Sequence, residues 1–250
     1  MTMSRIFTAA ACVLVAAAAH AQYCPTQAGT VLRYTENTEI PEHAVKTVTE
    51  TVDSVYADGG ATIVRTTSVH DTAGSLTTEP DTRTIYSYTT AEAPTVVTIM
   101  TVDDFRDLIV NSIRSEAEAA GQYVSPQDLE SLAAQIRPSG KLQLTLDPNA
   151  AEGAKIPNCT MRVSLGLGAN MSLGISGGKV LGHEAVTVPA GTFDDCLKIS
   201  YVFKQAFGSE TVKMNATSWY APGIGLVREE IKDKSGAVVS VQELQSVSRP

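Results

Sequence analysis

Large apolar residues recur at every second position along most of this chain, in short runs divided by turn residues. The clearest run sets Leu197, Ile199, Tyr201 and Phe203 against Lys198, Ser200 and Lys204. Successive side chains of a strand point to opposite faces, so these four large residues share one buried face and Cys196 lies on the other. Thr, Val and Ser fill the runs, as expected of half-buried pleated surface. The pattern predicts strands at 29–36, 43–56, 61–69, 83–88, 95–100, 141–146, 161–167, 180–188, 196–204, 211–219, 226–232 and 237–244. Turn signals separate them: ADGG at 57–60, VPAG at 188–191, APGIG at 221–225 and DKSG at 233–236.

One stretch, 101–138, changes period from two to 3.6. Phe105, Leu108, Ile109 and Ile113 fall on one helical face. Thr101 with Asp104 forms a capping box, and Gly121 is a stop. A second helix begins at Ser125, with Pro126 at its first position and Asp128 three after the cap. Leu129, Leu132, Ala133 and Ile136 make its stripe, and RPSG ends it. Two amphipathic helices need a surface to lie on. The expected architecture is mainly β: a curved antiparallel sheet, half-barrel-like, with this two-helix insert packed on its concave face.

The first 21 residues read as an export signal. Arg5 supplies the positive start, IFTAAACVLVAAAA the apolar stretch, and Ala19-His20-Ala21 the cleavage site before Gln22. The expected organisation is a signal peptide at 1–21 and a single β-rich domain at 22–250 carrying the helical insert 101–138. Localisation is periplasmic or secreted. Removing 21 of 250 residues leaves 229; removing Arg5 from 19 bases leaves 18 against 27 acids, a net charge of −9. Such an acidic chain repels phosphate backbones, so nucleic acid is not an expected partner. No later stretch holds 18 uninterrupted apolar residues, so no further helical membrane span is expected.

Three cysteines remain after cleavage, Cys24, Cys159 and Cys196, in a compartment where disulfides persist. Cys159–Cys196 closes the shortest loop and is the expected pair. There is no C-x-x-C.

Chemistry-bearing patterns are sparse. His43, His70 and His183 are scattered without metal-ligand spacing, and no metal or cofactor is expected. Gly174, Ser176 and Gly178 match a nucleophile elbow only formally, without the strand–elbow–helix setting. Asp194 and Asp195 are adjacent and point opposite ways in an extended chain, so they read as a solvated strand entrance. Trp219, beside Tyr220, reads as a cap on a core. Arg228, Glu229 and Glu230 read as a solvated strand face.

Three motifs, RYTENT after QAGTVL, then VLGHEAVTVPAGTFDDCLKISY, then WYAPGIGLVREE, resemble the TapB-like family of exported β proteins over about residues 23–247. The last two carry most of the likeness, whereas EGAKIPNCT at 152–160 and the helical insert depart from the family pattern. The resemblance implies a fold related to the lipoprotein-carrier half-barrels and carries over no catalytic residues.

The expectation is therefore a non-enzymatic exported protein. It would bind an apolar or amphiphilic ligand, or serve the cell envelope, through Phe105, Leu108, Ile109, Leu129, Leu132, Tyr201 and Trp219. Its partner would be a lipid-like small molecule. The alternative is an adaptor that binds another envelope protein through a sheet edge or the helices. A void between the helical stripe and the sheet would favour the first reading. A filled space with an apolar patch outside would favour the second.

Overall fold

The computed structural model describes residues 22–39, 43–72, 81–90, 94–166 and 169–250; the expected signal peptide lies outside them. Fourteen strands and two helices follow one another. β1 (Val31–Thr38), β2 (Ala44–Asp58), β3 (Ala61–Thr72), β4 (Asp81–Thr90) and β5 (Thr95–Met100) form a meander. α1 (Val102–Ala119) and α2 (Pro126–Gln135) follow. Then come β6 (Ser139–Gly140), β7 (Leu142–Leu146), β8 (Lys155–Ile156), β9 (Cys159–Gly166), β10 (Ala169–Val188), β11 (Gly191–Phe207), β12 (Glu210–Ala221), β13 (Gly225–Lys232) and β14 (Val238–Ser248).

All pairings are antiparallel and belong to one sheet, in the order β6-β9-β10-β11-β12-β13-β14-β1-β2-β3-β4-β5-β7, with β8 beside β10. The expected curved sheet with two helices is present, and it curls further than half a barrel. Its outermost strands, β6 and β7, are neighbours in sequence, separated only by Lys141. Ser139–Gly140 pairs with β9 and Leu142–Leu146 with β5, so one short segment joins both edges and nearly closes the ring. A long or flat free edge invites pairing with other chains, and closure removes most of it. At the seam, the Gln143 N–H donates to Cys159 Sγ at 3.3 Å and the thiol donates back to the Gln143 carbonyl at 3.2 Å. A side chain thus stands in for a missing ladder pair.

The helices form where the capping signals place them. Thr101 and Asp104 exchange hydrogen bonds, each backbone N–H donating to the other's side chain at 3.0 Å. Asp104 also accepts from the Thr84 N–H at 3.3 Å, which fixes the start of α1 to β4. At the other end, Gly121 takes φ +71°, and the Gln122 N–H reaches back to the Ala117 carbonyl. In α2, Ser125 caps the Asp128 N–H at 3.2 Å.

The hairpin at 183–203 builds structure, as its alternation implies. Leu197, Ile199 and Tyr201 enter the main core, while Cys196 joins a second cluster with Trp219, Val186, Val188 and Leu244. β10 and β11 are long and broken by bulges, and their shared tip folds back over β12–β14. There the Ala190 N–H donates to the Leu244 carbonyl at 3.1 Å. β10 starts 11 residues earlier than the expected strand at 180. Two of its glycines, Gly174 and Gly178, look like a turn in sequence but serve close approach. A Cβ on Gly178 would stand 2.8 Å from Ile156, and one on Gly174 would stand 3.1 Å from the Cys159 carbonyl oxygen. Ser176 therefore lies on a strand opposite Val202, not on an elbow.

The expected Cys159–Cys196 disulfide is not formed, and the three cysteines among the described residues, Cys24, Cys159 and Cys196, are free thiols. The register explains why. Cys159 pairs with Ile175 and Cys196 with Glu184 on the strand between them. Those partners are nine residues apart, roughly 30 Å of strand at about 3.3 Å per residue, whereas a disulfide needs Cα atoms within about 7 Å.

Candidate functional site

The inward-facing positions of the ring divide by strand. On β7, β9, β10 and β11 they are aliphatic: Leu142, Leu144, Leu146, Met161, Leu173, Ile175 and Ile199. On β1–β3, β13 and β14 they are largely polar. The register sets Ser218, Glu229, Gln242, Glu36 and Lys46 side by side across five strands, all facing inward. A second inward row runs Leu32, Glu50, Ser68 and Arg83. The first side is packed solid. The second leaves a cavity of about 340 Å³.

The cavity wall is amphipathic. Val97, Ile99 and Ile85 from β5 and β4 present hydrocarbon, while β1, β2, β13 and β14 present carboxyl, hydroxyl and amide groups. Tyr201 and Ser218 each donate to Glu229 Oε1 at 2.7 Å. Tyr34 donates to the Leu226 carbonyl at 3.1 Å and lies 3.4 Å from Glu50 Oε2. Ser240 donates to Glu36 at 3.2 Å, and Lys46 stands 3.9 Å from the same oxygen. Burial raises both deep carboxyls: Glu50 to about 7, against the lowering effect of the Tyr34 hydroxyl, and Glu229 upward despite its two donors. Both side chains are partly buried and border the cavity. Burial likewise pushes Tyr34, Tyr201 and Tyr220 well above the usual phenol range. At neutral pH this wall offers carboxyl oxygens, one set on a carboxyl close to half-protonation, and the Lys46 ammonium, groups able to hydrogen-bond a polar head.

Residues 22–25 stop one end of this space. The Gly223 N–H donates to the Gln22 carbonyl at 2.6 Å, and the Tyr23 N–H donates to Thr95 Oγ1 at 3.2 Å. Tyr23 Oη meets His183 Nε2 at 3.4 Å. Tyr23 and Cys24 are buried, Cys24 against Val52 and Val64, where burial pushes its thiol up to about 11. A reactive cysteine needs the opposite, a lowered pKa and access.

The residues expected to bind ligand fall into three places. Phe105, Ile109, Leu108, Leu129 and Leu132 pack into the aliphatic core, with Phe105 at 0% exposure, so the space under the helical stripe is filled. Tyr201 alone of the seven lines the cavity. Trp219 lies on the outer face beneath the folded hairpin tip. There its Nε1–H donates to Glu184 at 2.7 Å, and Lys198 and Arg228 stand over its ring at 5.1 and 5.7 Å. That indole N–H, with Lys198 at 3.0 Å, holds Glu184 below the ordinary carboxyl range. Asp194 and Asp195 are exposed, as a solvated strand entrance should be.

Glu229 is different from the solvated face expected of it. Arg228 and Glu230 pair with each other at 2.7 Å on the outside, but Glu229 points in. The readable signal was its shared alternation with Val227 and Ile231. Glu36 and Glu50 gave no such signal, because a polar residue facing a wet interior scans like one facing solvent. Among the described residues no group of His, Cys, Asp and Glu is placed to hold a metal ion.

Residues 141–244 match the family model described as DUF3108-like, which takes in the VPAGTF hairpin and the WYAPGIG turn. The match covers less than half of the chain and carries that description rather than the TapB-like one. The fold is similar to that of a crystal structure of a candidate exported protein with a YmcC-like fold from Bacteroides fragilis NCTC 9343. The TM-score is 0.64 at 16% identity, over 92% of this chain and 100% of that one. It is also similar to a candidate lipoprotein from Parabacteroides distasonis ATCC 8503, with a TM-score of 0.62 at 18% identity over 92% and 99% of the two chains. At these identities the likeness is one of fold. No curated protein matches.

Proposed function

We propose that this chain is an exported cell-envelope protein that holds an amphiphilic ligand inside its ring, and that it binds rather than catalyses. The observation that carries the reading is the amphipathic cavity of about 340 Å³, with hydrocarbon on the β4–β5 wall and hydroxyl and carboxyl groups opposite. Small-ligand sites of this size class combine an apolar lining with a few placed polar groups. Export is supported by the signal-like start and by the descriptions of the two structural neighbours. A lipid anchor on Cys24 is disfavoured by its burial at 3% exposure. The filled space under the helices and the exposed apolar residues of one rim favour the adaptor alternative on the criterion set above, whereas the joined edges at 139–146 disfavour its sheet-edge form. The cavity on the other side of the ring is what carries the binding reading.

Native mass spectrometry of protein purified from its own envelope without detergent, followed by solvent extraction, tests the reading. Wild type is expected to carry an amphiphile, and Ile85→Trp, which fills the cavity, is expected to lose it. A clean apo mass for wild type, or retention unchanged in Ile85→Trp, would place any ligand elsewhere.

A further inference from the structure

The eight exposed large hydrophobic residues among those described are not spread evenly. Following the register, one rim of the ring carries the ends of β1, β3, β5, β9, β11 and β13 and the starts of β2, β4, β7, β10, β12 and β14. The helices leave from this rim, after Met100. Phe207, Val212, Val238, Val45 and Val102 lie on it, and Tyr123 lies in the loop between α1 and α2. Only Tyr56 and Tyr88 lie toward the opposite rim.

The most prominent feature of the rim is the β11–β12 hairpin. β12 pairs with β13 only from Asn215 onward, so residues 207–214 project past the β13 side of the ring. The tip turns at Gly208, with φ +57°, and carries Phe207 and Val212, each 55% exposed. Behind it, Lys204 is directly opposite Lys213. Like charges directly opposed across strands are destabilising, and neither lysine has an ion-pair partner among the described residues. On the same outer face, one pair farther down, Lys232 adjoins Asn215. Glu210 is the one acid in the hairpin tip. The hairpin thus carries two lysines without ion-pair partners on its outer face, and two exposed apolar side chains nearer the tip on its other face.

We infer that this rim docks on an anionic lipid bilayer surface, with Phe207 and Val212 entering the headgroup boundary and Lys204 and Lys213 meeting the phosphates. Apolar side chains inserting while basic ones contact anionic headgroups is the general physics of interfacial binding. The charge chooses the partner: opposed lysines are relieved by a sheet of negative charge and repelled by a second copy carrying the same pair. The cavity lining reaches the same rim through Lys46, His70 and Ser240, so docking would turn that end of the cavity toward the lipid.

The test is flotation of the mature chain, residues 22–250, with vesicles of phosphatidylglycerol and phosphatidylethanolamine, and with vesicles of phosphatidylcholine alone. Wild type is expected to float with the anionic vesicles, to float far less with phosphatidylcholine, and to release as salt is raised. Lys204→Gln with Lys213→Gln should weaken binding on the order of tenfold or more. Phe207→Ser with Val212→Ser should abolish flotation while leaving thermal unfolding unchanged. Tyr56→Ser, on the opposite rim, should float as wild type does. Ile85→Trp should also float normally, which separates this inference from the ligand reading. Absence of flotation, equal flotation on both lipids, or equal loss in Tyr56→Ser would overturn the inference. So would a dimer in wild type that becomes a monomer in Phe207→Ser with Val212→Ser without change in flotation, since a second copy would then be the occupant.

Discussion

The two sides of the ring interior use the same backbone and the same alternation, and they end in different states. Under the helices, Leu142, Leu144, Leu146, Met161 and Ile175 are at or near zero exposure, and nothing polar intrudes. Across from them, inward positions hold Glu36, Glu50, Glu229, Gln242, Ser68 and Thr66, and the space stays open. Close packing needs side chains without hydrogen-bonding demands on that space. Once carboxyls occupy adjacent inward positions, they keep water, or a ligand that replaces it, beside them. The folded chain is therefore half core and half vessel, divided by strand.

The largest effect that would break this division is at Leu144. Leu144→Ala on the packed side should cost about 2–5 kcal/mol in urea unfolding, while Ile85→Ala on the cavity wall should cost about 1 kcal/mol, since that side chain already borders open space. Equal costs would mean the two sides are packed alike.

Next comes Glu50. In the folded chain its carboxyl keeps its proton up to about pH 7, against 4.5 ordinarily. Between those values the folded state binds a proton that the unfolded state has released. Its stability is then fullest below pH 4.5 and falls as pH rises through 7. Glu50→Gln should remove that slope and raise stability at pH 8 by about 1–3 kcal/mol. Parallel stability curves for the two proteins from pH 5 to 8 would show an ordinary, solvated Glu50.

Asp104 ties the helices of the packed side to β4 of the cavity side through the Thr84 N–H. Asp104→Ala should cost about 1 kcal/mol and speed amide exchange at Thr84 and in the first turn of α1. Exchange confined to α1 would show that the two sides are not coupled there. The smallest change is expected for Cys159→Ala, about 0.5–1.5 kcal/mol from the lost seam hydrogen bonds. Thiol titration of the unfolded mature chain should count three free groups; fewer would revive a disulfide.

Local signals in the sequence located much of this. The capping boxes at Thr101 and Ser125 announced both helices, because each rests on contacts three residues apart. The face of Leu197, Ile199 and Tyr201 was readable because large apolar residues alternate with polar ones. The early half of β10 was not readable, since glycines that admit Ile156 and Cys159 look the same as glycines that turn a chain. The cavity was not readable either. It depends on which polar positions face inward, and only closure of the ring at Lys141 makes an inside. The helical stripe suggested a lined void, whereas it fills its own space, because Phe105 and Ile109 meet leucines from β7 that no local pattern pairs with them.

The ring also sets a condition on when the protein exists as a fold. Val31 pairs with Ser248, and β1 has no neighbour on that side until β14 is available. A contact spanning nearly the whole chain is slow to form and cannot precede the last residues. For the exported chain proposed above, this is an advantage in time: a polypeptide still being threaded through a membrane lacks the strand that completes it. It stays unfolded enough to be passed across, and acquires its interior, and with it anything it is to carry, only after arrival.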